Sequence, residues 1–448
     1  MHQRARLHEA MVELAAERGC NAVSVAALVN RAHLSKRDFY KHFSSKEECF
    51  LATYDIIVNH SLRGIHAAIE GEEEWRERLR LGYLTFAGQI ADNPEAARLA
   101  LIESFAAGAG AVERKQRTGR LFEALVAKSL APADGSPRLP RLLVKGIAAG
   151  CARVARARLL SGDPRQLTLD GDELMEWALS LCDDDAARLC GLGAAGAAPL
   201  PATAAEPPFG DERAMILSAT ARLASREGYA TLTVPRVRAA AGVSGRSFYT
   251  HFDGVADSFM ATLEVLSDRT LTAAEPSYLT AEDWASGVHR MVARLCRQLA
   301  GDPDFANLAF REVLSPGPEA DRWRSGMVAK LAADLRRGAP PEQRPTVFAA
   351  EASIGAMWGV IHHLVVSGSV EELPIATPVL SYLVLAPAIG GAAAVAAMVA
   401  PPAKARPAAP RLSSRPPAPA VVGDPAGFLG AEEGGEGDVG EQWREVGQ

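Results

Sequence analysis

The nine residues Ser35-Lys36-Arg37-Asp38-Phe39-Tyr40-Lys41-His42-Phe43 decide the fold. They return 209 residues later as Ser244-Gly245-Arg246-Ser247-Phe248-Tyr249-Thr250-His251-Phe252. Working outward, 15 of the 47 positions from Leu7 to Thr53 are identical to their counterparts without a gap. The match continues to residues 92–94 at the same offset and to residues 160–162 at an offset of 206. A repeat of this length predicts two copies of one structural unit in tandem.

Each copy begins with the signals of three helices. The first helix is predicted to end at Gly19 or Gly228, because glycine suits the left-handed conformation that closes a helix. Two short helices follow, separated by a three-residue turn at 33–35 or 242–244. Hydroxyl side chains stand where these short helices should be capped: Ser24, Ser35, Thr233 and Ser244. Two short helices across such a turn predict a helix-turn-helix.

Helical periodicity dominates the remainder and strand signals are nearly absent. The predicted fold class is therefore all-α, with two tandem units, each a helix-turn-helix domain followed by a helical bundle for ligand binding and dimerisation. The predicted segments are helix-turn-helix domains at 1–50 and 209–259, helical regulatory domains at 51–190 and 260–386, an Ala/Gly/Pro linker at 191–208, and a disordered tail at 387–448. The uncharged run 373–403 is interrupted by Pro374, Pro378 and Pro387, so it predicts no membrane span.

Composition sets further bounds. The formal net charge is −6, but basic residues cluster between Arg31 and Lys46, where Asp38 is the lone acidic residue before the helix that follows. A local basic face, and not the net charge, decides whether nucleic acid can bind. The six cysteines include no C-x-x-C pair, and no secretory signal stands at the N-terminus. These features predict a reducing cytoplasm with mostly buried free thiols.

The helix-turn-helix domain at the start of each copy is called a head, and its third helix is called the reading helix. This helix carries groups suited to reading DNA. An arginine in its first turn, Arg37 or Arg246, can hold guanine N7 and O6 with its fork, while hydroxyl, imidazole and ammonium groups nearby suit phosphates. The four phenylalanines of the two motifs lie on one helical face and predict core packing. The predicted DNA-binding residues are Ser24, Ser35, Lys36, Arg37, Tyr40, Lys41, His42 and Lys46 in the first copy, and Thr233, Ser244, Arg246, Ser247, Tyr249, Thr250 and His251 in the second.

Both copies resemble the N-terminal domain of the TetR family of bacterial transcriptional regulators. The shared pattern covers about 50 residues per copy, from the helix ending in Ala-x-x-Gly to the Phe-Tyr-x-His-Phe run. The resemblance implies a cytoplasmic DNA-binding protein that recognises a double-stranded operator, usually represses, and releases DNA when a small hydrophobic ligand enters the helical domain.

The two copies also depart from the family pattern and from each other. His33 stands where the family prefers glycine in the turn, at a conformational cost. Gly245 replaces Lys36, and Val255 replaces Lys46. The second head is therefore predicted to hold phosphates less tightly, which would lower the salt slope of binding by about 2.

Ligand and assembly predictions rest on fewer signals. The candidate ligand-binding residues are Tyr83, Phe86 and Glu103 in the first unit and Phe310, Glu312, Trp358 and His362 in the second. No cofactor and no metal site are predicted, since His362 and His363 are adjacent and point apart on a regular helix. The chain is predicted to form an intramolecular pseudo-dimer, with a homodimer of tandem chains as the alternative. A scaffold whose heads no longer bind DNA and a helical enzyme are rival functions, but no catalytic motif supports the enzyme.

Overall fold

The computed structural model describes residues 2–103, 109–131, 139–192, 211–314 and 318–399. Within these ranges the ordered elements are helices without any strand, which confirms the all-α prediction. The helices of the first copy are α1 (His2–Arg18), α2 (Val25–Arg31), α3 (Lys36–His42), α4 (Lys46–Ile69), α5 (Trp75–Asp92), α6 (Pro94–Leu101), α7 (Ala109–Leu130), α8 (Arg141–Ser161), α9 (Gln166–Leu169) and α10 (Gly171–Ser180). Those of the second copy are α11 (Glu212–Glu227), α12 (Val234–Ala241), α13 (Gly245–His251), α14 (Val255–Leu279), α15 (Trp284–Gly301), α16 (Pro303–Phe310), α17 (Pro318–Gly338), α18 (Val347–Val366), α19 (Leu373–Ile389) and α20 (Gly391–Val399).

The two copies meet along equivalent helices. α8 and α18 occupy the same place in the repeat, and they make the most extensive contact of any helix pair. α10 of the first copy also contacts α18, while its counterpart α19 contacts α8. Each side thus offers the other the same surface, as in a two-fold dimer interface. The interface is internal to one polypeptide.

Four glycines permit this close approach. A Cβ atom added at Gly359 of α18 would overlap the Cβ of Ala149 of α8, and one added at Gly150 of α8 would lie 3.1 Å from Ala352 O of α18. Gly146 and Gly355 are equally crowded, by Leu383 and Arg153 respectively. Small residues let helix backbones approach closely, so these glycines shape the contact between the copies. Trp177 Nε1 donates across it to Ser353 Oγ at 3.0 Å.

The predicted disordered tail begins too early. α19 continues to Ile389 and α20 follows it to Val399, although the disordered tail was predicted to start at residue 387. α20 packs against α15, α19 and the short helical turn at 184–191, with Ala394 fully buried. Tertiary burial outweighs the cost of proline within α19, and local composition does not report it. The predicted linker from residue 193 and the tail from residue 400 lie outside the described residues.

In the part of the chain that the structure describes, two helices are long and apolar enough to cross a membrane by length and composition, Val347–Val366 and Val370–Ile389. Most of each lies inside the protein, where α18 packs on α8 and α17, and α19 packs on α15. Their apolar character is accounted for by this burial.

Candidate nucleic-acid interface

The two heads repeat one local geometry. Ser35 Oγ accepts a hydrogen bond from Asp38 N at 3.1 Å, and Ser244 Oγ accepts one from Ser247 N at 3.0 Å, so both serines cap the reading helix. The phenylalanine rings on the inner face are also matched, with centroids 5.9 Å apart in the first head and 6.0 Å apart in the second. These four rings are buried, which agrees with the core role predicted for Phe39, Phe43, Phe248 and Phe252.

The outer face of each reading helix is open to solvent. Tyr40 is 58% exposed and Tyr249 is 61% exposed, each with its ring edge-on to the buried phenylalanine beside it. Other predicted DNA-binding residues that are also exposed are Ser24, Ser35, Lys36, Arg37, Lys41, Thr233, Ser244, Arg246, Thr250 and His251. His42 is half-buried and within 3.3 Å of Gln3 Oε1, and Ser247 donates to Glu212 at 2.6 Å. α3 and α13 therefore present similar polar surfaces.

The turn before the reading helix differs between the heads as expected. His33 has a φ of 49°, and among the described residues it is the non-glycine residue with positive φ. Its counterpart Gly242 has a φ of 69°. A histidine in this backbone region is strained, so this turn lowers the stability of the first head.

Several cations of the first head are engaged within the protein. Lys46 Nζ donates to Val23 O at 2.9 Å and Asn21 O at 3.2 Å, so it ties α4 to the loop before α2. Arg31 is paired with Glu13 at 2.7 Å. Lys41 is paired with Asp38. Hydrogen bonds from Lys41 and Ser35 lower the pKa of the Asp38 carboxyl to about 2. Lys36 and Arg37 are the exposed cations in the first turn of α3.

The second head holds a cation that the sequence analysis did not single out. Arg238 of α12 is exposed, and its Nη1 lies 3.0 Å from where a Cβ of Gly245 would stand. It therefore brings a guanidinium to the position that Lys36 occupies along the first reading helix. The sequence could have revealed this arginine, because its counterpart in the first copy at the offset of 209 is the buried Val29.

Two equivalent glutamates fasten the heads to the bodies. Glu103, at the end of α6, accepts a hydrogen bond from Cys20 N at 3.0 Å. Glu312, at the end of α16, accepts one from Tyr229 N at 2.8 Å. Both backbone amides stand at the start of the short helical turn that follows the first helix of a head. The first N–H groups of a helical turn have no partner within it, so each carboxylate satisfies one such donor. The candidate ligand residue Glu103 thus has a structural partner.

A large cavity lies among the described residues where the bodies of the two copies meet. Its volume is about 1350 Å³, and helices α4, α5, α7 and α8 form much of its wall, with α18 closing one side. Among the candidate ligand residues, Tyr83 and Phe86 line it from the first copy, and Glu312, Trp358 and His362 line it from the second. Glu103 and Phe310 do not line it, although the Phe310 ring packs on Trp358. The two candidate sets thus meet at one shared cavity.

The cysteines whose side chains are described carry free thiols. Burial raises the pKa of Cys20, Cys49, Cys151 and Cys296 to about 12. These thiols are protonated at neutral pH and are poor nucleophiles.

The comparison with known families gives two matches on this chain. Residues 7–53 and 216–256 match the family described as bacterial regulatory proteins, tetR family. These ranges cover both heads.

Similar proteins were found among curated and solved proteins. The HTH-type transcriptional activator FasR of Mycolicibacterium smegmatis is 32% identical over 97 residues, which is 22% of this chain and 44% of that protein's length. FadR from Bacillus subtilis, solved in complex with stearoyl-CoA, is 14% identical with a TM-score of 0.36, over 39% of this chain and 97% of that one. A TetR family regulator from Marinobacter aquaeolei is 21% identical with a TM-score of 0.31, over 39% of this chain and 94% of that one.

Proposed function

We propose that this chain, in which both heads match the tetR family of bacterial regulatory proteins, is a transcriptional regulator that binds an operator with both heads. The observation that carries the proposal is the pair of equivalent polar faces on α3 and α13, each with an exposed arginine and tyrosine above a buried phenylalanine pair. In a helix-turn-helix protein this face enters the major groove. The proposed role requires no catalytic group.

One polypeptide supplies both heads in this proposal. The α8–α18 contact joins the copies through equivalent surfaces, which supports a pseudo-dimer that does the work of the usual homodimer. A protein that places two equivalent helices in the major groove needs half-sites whose centres lie about 34–36 Å apart. Since the reading helices also differ at Asp38 and Ser247 and at Lys41 and Thr250, the operator is proposed to be asymmetric, with different half-sites. The regulator would act in the cytoplasm, where the DNA is.

The test is the mass of the protein on its operator. An operator would first be selected from random DNA, which also reports its symmetry and spacing. Light scattering of the complex is expected to give one chain per operator. A complex of two chains on a single operator would contradict the pseudo-dimer and favour the homodimer of tandem chains, with four heads.

Unlike heads also predict a specific salt dependence. Lys36→Gly and Arg238→Ala should each lower the slope of log K against log salt by about 0.9, because each removes one phosphate contact. Arg236→Ala is the matched control, since Arg236 on the same helix as Arg238 is already paired with Glu227 and with Thr231 O. Fluorescence anisotropy across a salt series measures the slopes. If Arg238→Ala behaves like the control, Arg238 does not contact phosphate.

Regulation is proposed to pass through the large cavity. A ligand that binds the DNA-incompetent state better would release the operator, and a coupling of about 1–3 kcal/mol is typical of such systems. α4 supports this role because it begins just after the reading helix at Lys46 and lines the cavity through Tyr54 and Ile65. We propose repression as the outcome. A promoter–reporter fusion that rises when the gene is deleted would support it, and one that falls would contradict it.

A further inference from the structure

The two helices that precede the glutamates fastening the heads, α6 and α16, end at equivalent residues. Their last residues, Leu101 and Phe310, are counterparts at the offset of 209. The last carbonyl groups of a helix have no donor within that helix, so each needs one from elsewhere. Glu103 and Glu312 follow these carbonyls by two residues. Whatever holds each carbonyl therefore also positions the glutamate beyond it.

A side chain from the interface helices supplies that donor in both copies. Arg156 Nη1 of α8 donates to Leu101 O, and His362 Nδ1 of α18 donates to Phe310 O at 2.5 Å. Arg156 and His362 are themselves counterparts, at the offset of 206. Both copies therefore contain the same contact, but its donor is a guanidinium in the first and an imidazole in the second.

The two donors differ in charge. A carbonyl oxygen can only accept a hydrogen bond, so Nδ1 of His362 must carry the proton. Burial lowers the pKa of His362 to about 4, so its ring is neutral at neutral pH. The guanidinium of Arg156 is charged, and it is also paired with Asp321. Hydrogen bonds from a charged donor are roughly twice as strong as those between neutral groups, so the contact in the second copy is the weaker one.

The contact in the second copy lies on the cavity wall and leads to the second head. His362, Trp358 and Glu312 all line the cavity. The ring of Trp358 packs on that of Phe310, with centroids 4.6 Å apart, so two side chains of α18 hold the end of α16. Glu312 then accepts a hydrogen bond from Tyr229 N at 2.8 Å, at the start of the short helical turn that follows α11. Two hydrogen bonds and three residues of α16 and its end thus connect α18 to the second head.

We propose that His362 is a positioning residue for the second head. It fixes the end of α16, which places the Glu312 carboxylate where Tyr229 N can donate to it, and so sets how the second reading helix is held. The first head has its own contact through Arg156, so it should not depend on His362. The inference rests on the proposed regulator function, because it names the residue that prepares one head for one half-site. Loss of the His362 hydrogen bond should therefore weaken recognition of that half-site only.

Hydrogen exchange of the full chain, measured by mass spectrometry of peptides that span the two turns, tests the inference without DNA. His362→Leu should speed exchange of the Tyr229 amide by about two- to tenfold, the effect of losing one neutral hydrogen bond, and leave the Cys20 amide unchanged. His362→Asn should restore slow exchange, because its side-chain amide can donate from near the position of Nδ1. His363→Leu is the matched control, since His363 lines the same cavity one residue further along α18. Unchanged exchange at Tyr229, equal acceleration at both amides, or an equal effect of the control would overturn the proposal.

Operator binding supplies the functional readout. His362→Leu should weaken binding to the selected operator by about two- to tenfold. The loss should disappear on an operator in which the half-site of the second head is scrambled, and that half-site is the one whose scrambling no longer matters to Arg246→Ala. A loss that persists on the scrambled operator would overturn the positioning role, because a general loss of stability acts on both heads. Exchange at Tyr229 that responds as expected in a chain that binds no operator would overturn the proposed function and leave the positioning role standing.

Discussion

Replacing Arg37 and Arg246 together with alanine is expected to abolish sequence-specific operator binding. Both arginines are exposed at the start of a serine-capped reading helix, the end of the helix that meets base edges. A bidentate arginine–guanine pair contributes about 1–3 kcal/mol of discrimination. Losing two such pairs costs about 2–6 kcal/mol, which corresponds to roughly 30-fold to 10⁴-fold in affinity.

The measurement is a mobility shift with the selected operator, run beside unrelated DNA of the same length. Binding to unrelated DNA should fall much less, because phosphate contacts carry most of it. Arg188→Ala is the control: Arg188 is an exposed arginine of the body, paired with Asp185 at 2.8 Å. If the double variant still shifts the operator normally, the arginines do not read its bases and the scaffold interpretation gains support.

Gly359→Ala is expected to destabilise the protein by about 1–3 kcal/mol, even though it adds a single methyl group to a helix. The added Cβ would overlap that of Ala149, which has no flexible end that can move aside, so α8 and α18 must separate. Because this is the contact that joins the two copies, the strain is placed where the pseudo-dimer is held together. Urea denaturation of the full chain measures the free energy of unfolding.

Gly88→Ala provides the matched control for that variant. Gly88 lies within α5, and a Cβ there meets nothing within 4 Å. The same chemical change should therefore raise the free energy of unfolding by about 0.5–1 kcal/mol, because alanine loses less backbone entropy than glycine in a helix. Opposite signs for the two variants are the expected result. Equal stabilisation by both would show that α8 and α18 do not approach as closely as described.

The heads were predictable from sequence because their signals are local. A cap such as Ser35 is defined by residues three positions away, and the spacing of Phe39 and Phe43 reports one helical face. The strained turn at His33 could be anticipated from its counterpart Gly242. In such cases the residues that determine a feature lie within about two helical turns of it in the sequence.

Other features depended on residues far apart in the chain. Glu103 is fastened to Cys20 across 83 residues, which made a candidate ligand residue into a support for the head. The α20 segment, read as tail, gains its order from α15 and α19. Propensity carries no information about such contacts.

By itself, the sequence determined that this protein is a tandem, all-helical pair of units, and that each unit begins with a helix-turn-helix of a known regulator family. Repeats, caps and helical periodicity are written in short-range patterns. Only the tertiary structure decided that the copies join through α8 and α18 and that one large cavity is lined by residues of both. These properties follow from how side-chain volumes and buried charges fit together across the interface, and such fit exists only once the helices are packed.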